Sequence, residues 1–241
     1  MMKPTYQEAL AHYGISSAHP GGFALTKALL NSEKIKSNMK ILDVGCGTGQ
    51  TSAYLAKHYQ CSVTALDYNP MMVSKAKHRF MTERLNIPVI HGSIEELPFP
   101  NQTFDMIIVE SVIIFTNKKK SYDELYRVLK PGGVLINSEM TAEQMLDIKD
   151  KKVIQNLYNI EDVLTEREWI KYIKNSGFAK IKKVKSSTIL EEMLNSHHQN
   201  QPELMSPYSP HPIYQQIIMD HQRVMSTYAD RLGYRVFRAI K

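Results

Sequence analysis

The sequence predicts an α/β architecture: an open, mostly parallel sheet of seven strands with an antiparallel last strand, helices on both faces and a helical cap. Three observations predict it. A glycine-rich loop, Asp43-Val44-Gly45-Cys46-Gly47-Thr48-Gly49, joins a short apolar run to the helical pattern of residues 51–57. Short β-branched or apolar runs, 62–66 and 104–109, alternate with helix-compatible segments, as parallel crossover units require. Residues 233–240 alternate in polarity as a strand does and follow a long segment of different character.

In chain order, residues 6–13 fit a helix, and the loop 14–22 leads into another over 23–30. The glycines after His19-Pro20 suit a backbone that approaches a ligand at a helix start; a plain turn accounts for them equally well. The first strand ends at Asp43, and the loop glycines let the chain reverse and touch a ligand where a Cβ would block both. The second strand ends at Asp67, placed to accept hydrogen bonds from ribose hydroxyls. Asn69-Pro70 supplies an N-cap and a first-turn proline for the next helix, so capping is the other duty of this segment. The stretch Val89 to Phe99 comes next, ahead of the fourth strand. The continuous apolar run 104–109 reads as a strand buried on both faces, with Glu110 at its end.

Ser121-x-x-Glu124 reads as a capping box opening a helix over 122–129, which Pro131-Gly132-Gly133 stops before a fifth strand from Val134. Residues 140–158 fit an amphipathic helix. Thr165-x-x-Glu168 is a second capping box, and its helix ends at Ser176-Gly177. The sixth strand, about 180–188, mixes lysines with apolar residues as a protected sheet edge does. Residues 190–232 are then an insertion before the last strand. It holds a proline-rich stretch, 202–212, and a helix over about 213–231, and would lie over the carboxyl ends of the strands, where open α/β sheets bind ligands.

The glycine spacing selects the cofactor. A nicotinamide loop reads Gly-x-Gly-x-x-Gly, and the position of its third glycine is Gln50. The pattern Asp-x-Gly-x-Gly-x-Gly from Asp43 to Gly49 instead resembles the first motif of the class I S-adenosylmethionine-dependent methyltransferases. Asp67-Tyr68-Asn69-Pro70-Met71-Met72 is similar to that family's Asp-x-Ser-x-x-Met segment. Tyr126 to Gly133 resembles the phrase found after the fourth strand in small-molecule members, including the quinone-biosynthesis C-methyltransferases.

The resemblance spans residues 39–138 and implies a Rossmann-like fold with S-adenosyl-L-methionine as cofactor. It implies that Asp43, Gly45, Cys46, Gly47 and Gly49 lie along the methionine part and that Asp67 holds the ribose. Tyr68 and Met72 would flank the sugar and adenine, although Met72 serves a core equally well. Ser93 and Ile94 would face the adenine; many relatives carry Asp where Ser93 stands, so the adenine amine meets an uncharged acceptor here. The implied organisation is one methyltransferase domain over residues 1–241, with an N-terminal helical lid at 1–37, a cofactor-binding core at 39–138 and the cap at 190–232.

A chain of 241 residues, 43% hydrophobic and 22% charged, is long enough for one large core. No apolar run approaches the roughly 20 residues that span a bilayer, and the N-terminus lacks the apolar stretch of a signal peptide. Two cysteines, Cys46 in the loop and Cys61, fit a reducing, cytoplasmic setting and offer no metal-ligand spacing. The net charge of +6 comes partly from lysine clusters at 118–120, 149–152 and 180–185. None interleaves aromatics as a nucleic-acid stacking groove would, so solvated surface is favoured over a nucleic-acid partner. Oligomeric state is not encoded in any pattern.

The substrate groups must come from outside the cofactor half. Glu110, nearest the transferred methyl in such a fold, is the candidate catalytic and cofactor-touching carboxylate, with structural capping as its alternative. Glu139, Tyr13 and His19 are candidate substrate residues, and Glu139 could instead be a structural cap or a partner for Arg127. His197, His198, His211 and His221 lie in the cap and could serve as bases, a polar surface being the plainer account of each. The expected reaction is in-line methyl transfer to a small molecule. An RNA-base methyltransferase and a non-catalytic S-adenosylmethionine-binding regulator are the alternatives; no Asn-Pro-Pro-Tyr or Asp-Pro-Pro-Tyr sequence follows the fourth strand.

Overall fold

The computed structural model describes residues 4–195 and 211–241. Seven strands form one sheet: β1 (Lys40–Val44), β2 (Ser62–Asp67), β3 (Val89–His91), β4 (Phe104–Glu110), β5 (Leu129–Ala142), β6 (Ala179–Thr188) and β7 (Leu232–Ile240). Their order is β3-β2-β1-β4-β5-β7-β6, and β7 runs antiparallel to both its neighbours. The order reverses at β1, so β1 and β4 open a crevice at their carboxyl ends, where ligands bind in such sheets.

Alternation along the strands buries both faces. Leu42, Val44, Leu66, Ile107, Val109 and Leu135 point into one core with α5 (Lys118–Val128), α6 (Ile148–Tyr158), α7 (Glu166–Asn175) and α9 (Pro212–Thr227). Ile41, Val63, Ala65, Met106 and Ile108 point into the other, with α2 (Gly22–Ser32), α3 (Gln50–Tyr59) and α4 (Pro70–Thr82). Trp169, fully buried, anchors the first core and donates from Nε1 to the Met140 carbonyl at 3.1 Å. The remaining helices are α1 (Tyr6–Tyr13), which packs on α9, and α8 (Ile189–Asn195).

Several local expectations hold. Asn69 caps α4 by accepting from the Met71 and Met72 N–H groups, with Pro70 in the first turn. Thr165 and Glu168 form the reciprocal capping box of α7. A further box, Thr5 with Glu8, opens α1 and escaped the sequence reading. Strand β6 is a sheet edge, as its lysines suggested.

Other expectations fail, among them the stop at Pro131-Gly132-Gly133, which lies inside β5 because that strand already starts at Leu129. The box at Ser121 does not exist: α5 starts four residues earlier, at Lys118, capped by Asn117, whose side chain accepts from the Lys120 N–H. Ser121 lies inside the helix against the Thr116 hydroxyl, and Glu124 turns to Arg127 and to the Leu97 N–H. Lys118 is thereby buried, its ammonium donating to the Ile114 and Thr116 carbonyls, not solvated in a loop. The helix expected from Met140 starts at Ile148, because residues 140–142 continue β5 alongside β7. The tertiary pairing partner outweighed the local helical periodicity. The proline-rich stretch up to 210, with His197 and His198, lies outside the described residues.

Candidate functional site

The loop between β1 and α3 is held by its neighbours before any ligand is considered. The Gly45 and Cys46 N–H groups both donate to the Leu66 carbonyl, and Gly45, Gly47 and Gly49 all have positive φ. A Cβ on Gly45 would come within 2.2 Å of Val112, and one on Gly49 within 2.6 Å of Phe80. These two glycines permit close packing. A Cβ on Gly47 would meet nothing within 4 Å, because it would project into open space.

That space is a cavity of about 1110 Å³ at the carboxyl ends of β1, β2 and β4. Asp43, Gly45, Cys46, Gly47, Asp67, Tyr68, Met72, Ser93, Ile94, Glu110 and His19 all line it. Three sequence candidates stand elsewhere. Gly49 caps α3 behind the loop. Tyr13 is buried between α1 and α9, its hydroxyl 3.4 Å from the His211 carbonyl, and is not a wall of the cavity. Glu139 is wholly buried, accepting from the N–H groups of Val112, Ile113 and Ile114 at 2.9–3.3 Å, so it clamps the 3₁₀ turn Ile113–Phe115 and is closed off from any substrate. Nor does it meet Arg127, whose partner is Glu124.

Each carboxylate in the wall is oriented. Asp67 accepts from the Gly47 N–H and the Asn69 N–H, both at 2.8 Å, one per oxygen, and each oxygen retains acceptor capacity. It thus ties the glycine loop to the start of α4. Asp43 accepts from the Ser52 hydroxyl at 2.5 Å; burial, reinforced by Glu110 and Asp67, pushes its carboxyl up to about 7. Burial also raises Asp67, against the pull of its N–H donors. Glu110 accepts from Thr26 at 2.7 Å and from Thr51 at 3.3 Å, and His19 Nε2 lies 3.5 Å away. Helices α2 and α3 therefore position this carboxylate through two threonines that no motif marks. The Ser93 hydroxyl accepts from the Glu95 N–H at 3.1 Å.

Immediately after Glu110, Ser111 adopts φ +56°, and its buried hydroxyl has no hydrogen-bond partner among the described residues. Backbone strain of this kind costs of order 1–3 kcal/mol and is kept where the surroundings impose it. Here the Ser111 N–H donates to the Ser138 carbonyl at 2.7 Å while Glu139 grips the next three N–H groups. The turn so formed presents Val112, Phe115 and Thr116 to the cavity.

The far wall comes from the N-terminal helix and the segments after β5: Tyr6, Leu10, Met140, Tyr158, His221 and Met225. Among the described residues lining the cavity there are six carboxylates and no lysine or arginine. This donor set fits S-adenosylmethionine: a cationic sulfonium and ammonium would find carboxylates, ribose hydroxyls would find acceptors, and the gap at Gly47 would admit the cofactor against bare backbone.

Known proteins carry the same pattern. The methyltransferase-domain family profile matches residues 41–133. An uncharacterized methyltransferase of Bacillus subtilis (strain 168), YodH, is 36% identical over 236 residues, covering 98% of this chain and 99% of that protein. A chloroplastic 2-methyl-6-phytyl-1,4-hydroquinone methyltransferase of Oryza sativa subsp. japonica is 38% identical over 109 residues, 44% of this chain and 32% of that one. Among solved structures, phosphoethanolamine N-methyltransferase 2 of Haemonchus contortus, with phosphomonomethylethanolamine and S-adenosylhomocysteine, superposes with a TM-score of 0.74 at 19% identity, over 98% of this chain and 58% of that one. The chain belongs to the class I S-adenosylmethionine-dependent methyltransferases.

Proposed function

We propose that the protein transfers the methyl group of S-adenosylmethionine to an uncharged or cationic small molecule, seated between the glycine loop and the wall formed by α1, α6 and α9. The observation that carries this reading is the lining of the cavity, which holds six carboxylates, aromatic and apolar side chains and, among the described residues, no lysine or arginine. An anionic acceptor such as a phosphate ester or a nucleic-acid backbone would lose its hydration without gaining a counter-charge there. A cavity of about 1110 Å³ also exceeds the roughly 300–1,000 Å³ of ordinary ligand sites, leaving room for two molecules side by side.

The cofactor, when bound, supplies an already electrophilic methyl, so the protein needs to position the acceptor and exclude water. In this reading Asp67 receives the ribose hydroxyls, the loop from Gly45 to Gly47 lies along the methionine part, and Tyr68 and Met72 flank the sugar and adenine. Ser93 and Ile94 face the adenine edge. Glu110, steered by Thr26 and Thr51, faces the cationic end and the reacting centre, with His19 beside it. Of the N-terminal segment and the cap, the described residues 4–37, 190–195 and 211–232 serve as the covering elements. Incubation of the protein with methyl-labelled S-adenosylmethionine and a cell extract, separated afterwards into metabolite, RNA and protein fractions, tests the reading. Label is expected in the metabolite fraction; label in RNA overturns it.

A further inference from the structure

The acceptor wall contains an aromatic cluster that neither the cofactor nor the glycine loop uses. His221 of α9 stacks on Tyr6 of α1, with ring centroids 4.8 Å apart and planes 25° from parallel. Tyr158, the last residue of α6, meets Tyr6 edge-on at 5.1 Å and places its hydroxyl 2.7 Å from His221 Nδ1. Three helices distant in sequence thus converge on one imidazole. All three side chains line the cavity.

The protons in this pair can be assigned from their surroundings. Burial holds the Tyr158 hydroxyl well above its ordinary value, so it keeps its proton. Burial also pushes His221 down to about 4, so the imidazole is neutral near pH 7 and carries one N–H. A hydroxyl that keeps its proton must spend it, and Nδ1 is the acceptor within reach. The imidazole proton then resides on Nε2, the ring nitrogen that Tyr158 does not engage. The opposite tautomer would place Nδ1–H against the phenol oxygen and leave the Tyr158 proton without an acceptor there.

Building on the function proposed above, we propose that His221 is an acceptor-binding residue whose Nε2–H, oriented by Tyr158, donates a hydrogen bond to a carbonyl, enol or ether-type oxygen on a ring-containing, uncharged methyl acceptor. Tyr6, Met140 and Met225 supply the apolar and aromatic contact for the ring system beside that oxygen. A neutral donor in an aromatic wall discriminates by hydrogen bonding and not by charge. An acceptor lacking the oxygen would leave this N–H buried and unpaired, which is where large selectivity comes from.

The test uses two probes that differ in one oxygen, 1-tetralone and tetralin, titrated calorimetrically into protein saturated with S-adenosylhomocysteine. Wild type is expected to bind 1-tetralone about tenfold more tightly than tetralin. His221→Phe, which keeps an aromatic ring on Tyr6, is expected to bind both equally, with S-adenosylhomocysteine affinity unchanged. Tyr158→Phe is expected to weaken the preference and to shift the ¹⁵N signals of His221 away from the Nε2–H tautomer. Equal binding of the two probes by wild type, or an oxygen preference surviving in His221→Phe, overturns the assignment. So does failure of both probes to bind a protein that takes up S-adenosylhomocysteine, an outcome that leaves the methyltransferase reading standing; failure to bind S-adenosylhomocysteine would defeat that reading instead.

Discussion

Gly45 and Gly47 share a left-handed backbone two residues apart, yet a side chain at each would meet different surroundings. At Gly45 a methyl group would drive into Val112, adding overpacking to backbone strain; Gly45→Ala should lower stability by about 3 kcal/mol in denaturant titrations. At Gly47 only the strain applies, about 1–2 kcal/mol, while the methyl would enter the open space proposed above for the cofactor. Gly47→Ala should therefore reduce S-adenosylhomocysteine affinity about tenfold or more, at 1.4 kcal/mol per decade, with the smaller stability loss. Wild-type affinity in that variant would remove the loop from the cofactor site. Asp43 yields a pH prediction. Unfolded, it releases its proton near pH 3.8, folded near 7, so between those values the native state binds more protons and stability falls as pH rises. The penalty is absent below the lower value and complete above the higher, at about 1.4 kcal/mol per unit. Asp43→Asn should gain on wild type in ligand-free thermal melts as pH climbs from 5 to 7.5; a constant difference between the two proteins would contradict the buried-acid account.

At the scale of elements, the short 3₁₀ turn Ile113–Phe115 depends on one side chain from the neighbouring strand. Glu139 in β5 takes three successive N–H groups of that turn, while Lys118 at the start of α5 takes its carbonyls. Burial raises the Glu139 carboxyl to about 8, against the pull of its three N–H donors and of Lys118. Glu139→Ala would leave those donors buried without partners and should cost about 3 kcal/mol, read as a shifted denaturation midpoint at unchanged slope. The three-residue spacing of Ser121 and Glu124 looked like a helix start because capping boxes have that spacing; Asn117 wins because its side chain already satisfies the first turn and Ser121 finds Thr116. Residues 140–142 likewise carry helical periodicity, but β7 offers them a ladder.

Across the whole molecule, the two cores lie on opposite faces of one sheet, and α1 reaches α9 from the other end of the chain. We expect residues 1–241 to unfold as a single unit. A ligand held by the glycine loop should then raise the whole transition: at a hundredfold excess over Kd, S-adenosylhomocysteine adds about 2.7 kcal/mol, a Tm rise of roughly 5–10 °C for this size. Calorimetry showing two transitions, with the ligand moving one of them, would separate the covering helices from the core. No helix among the described residues is long and apolar enough to cross a membrane.

What the sequence determined by itself was the half of the protein whose information is local. The glycine spacing, the acidic ends of β1 and β2, Asn69-Pro70 and the apolar runs specify strand, loop and helix within a few residues, and the structure gathers Asp43, Gly45, Cys46, Gly47, Asp67, Ser93 and Ile94 into one wall. Only the tertiary structure decided the rest. Glu139 proved a clamp and not a substrate group because its partners are backbone N–H groups some 26 residues away. Thr26, Thr51 and His19 meet at Glu110 from three segments, and Tyr6, Tyr158 and His221 meet from three helices. Contacts between distant segments leave no periodicity or motif in the chain, because what selects each residue is the geometry of its neighbours after folding and not the residues beside it in sequence.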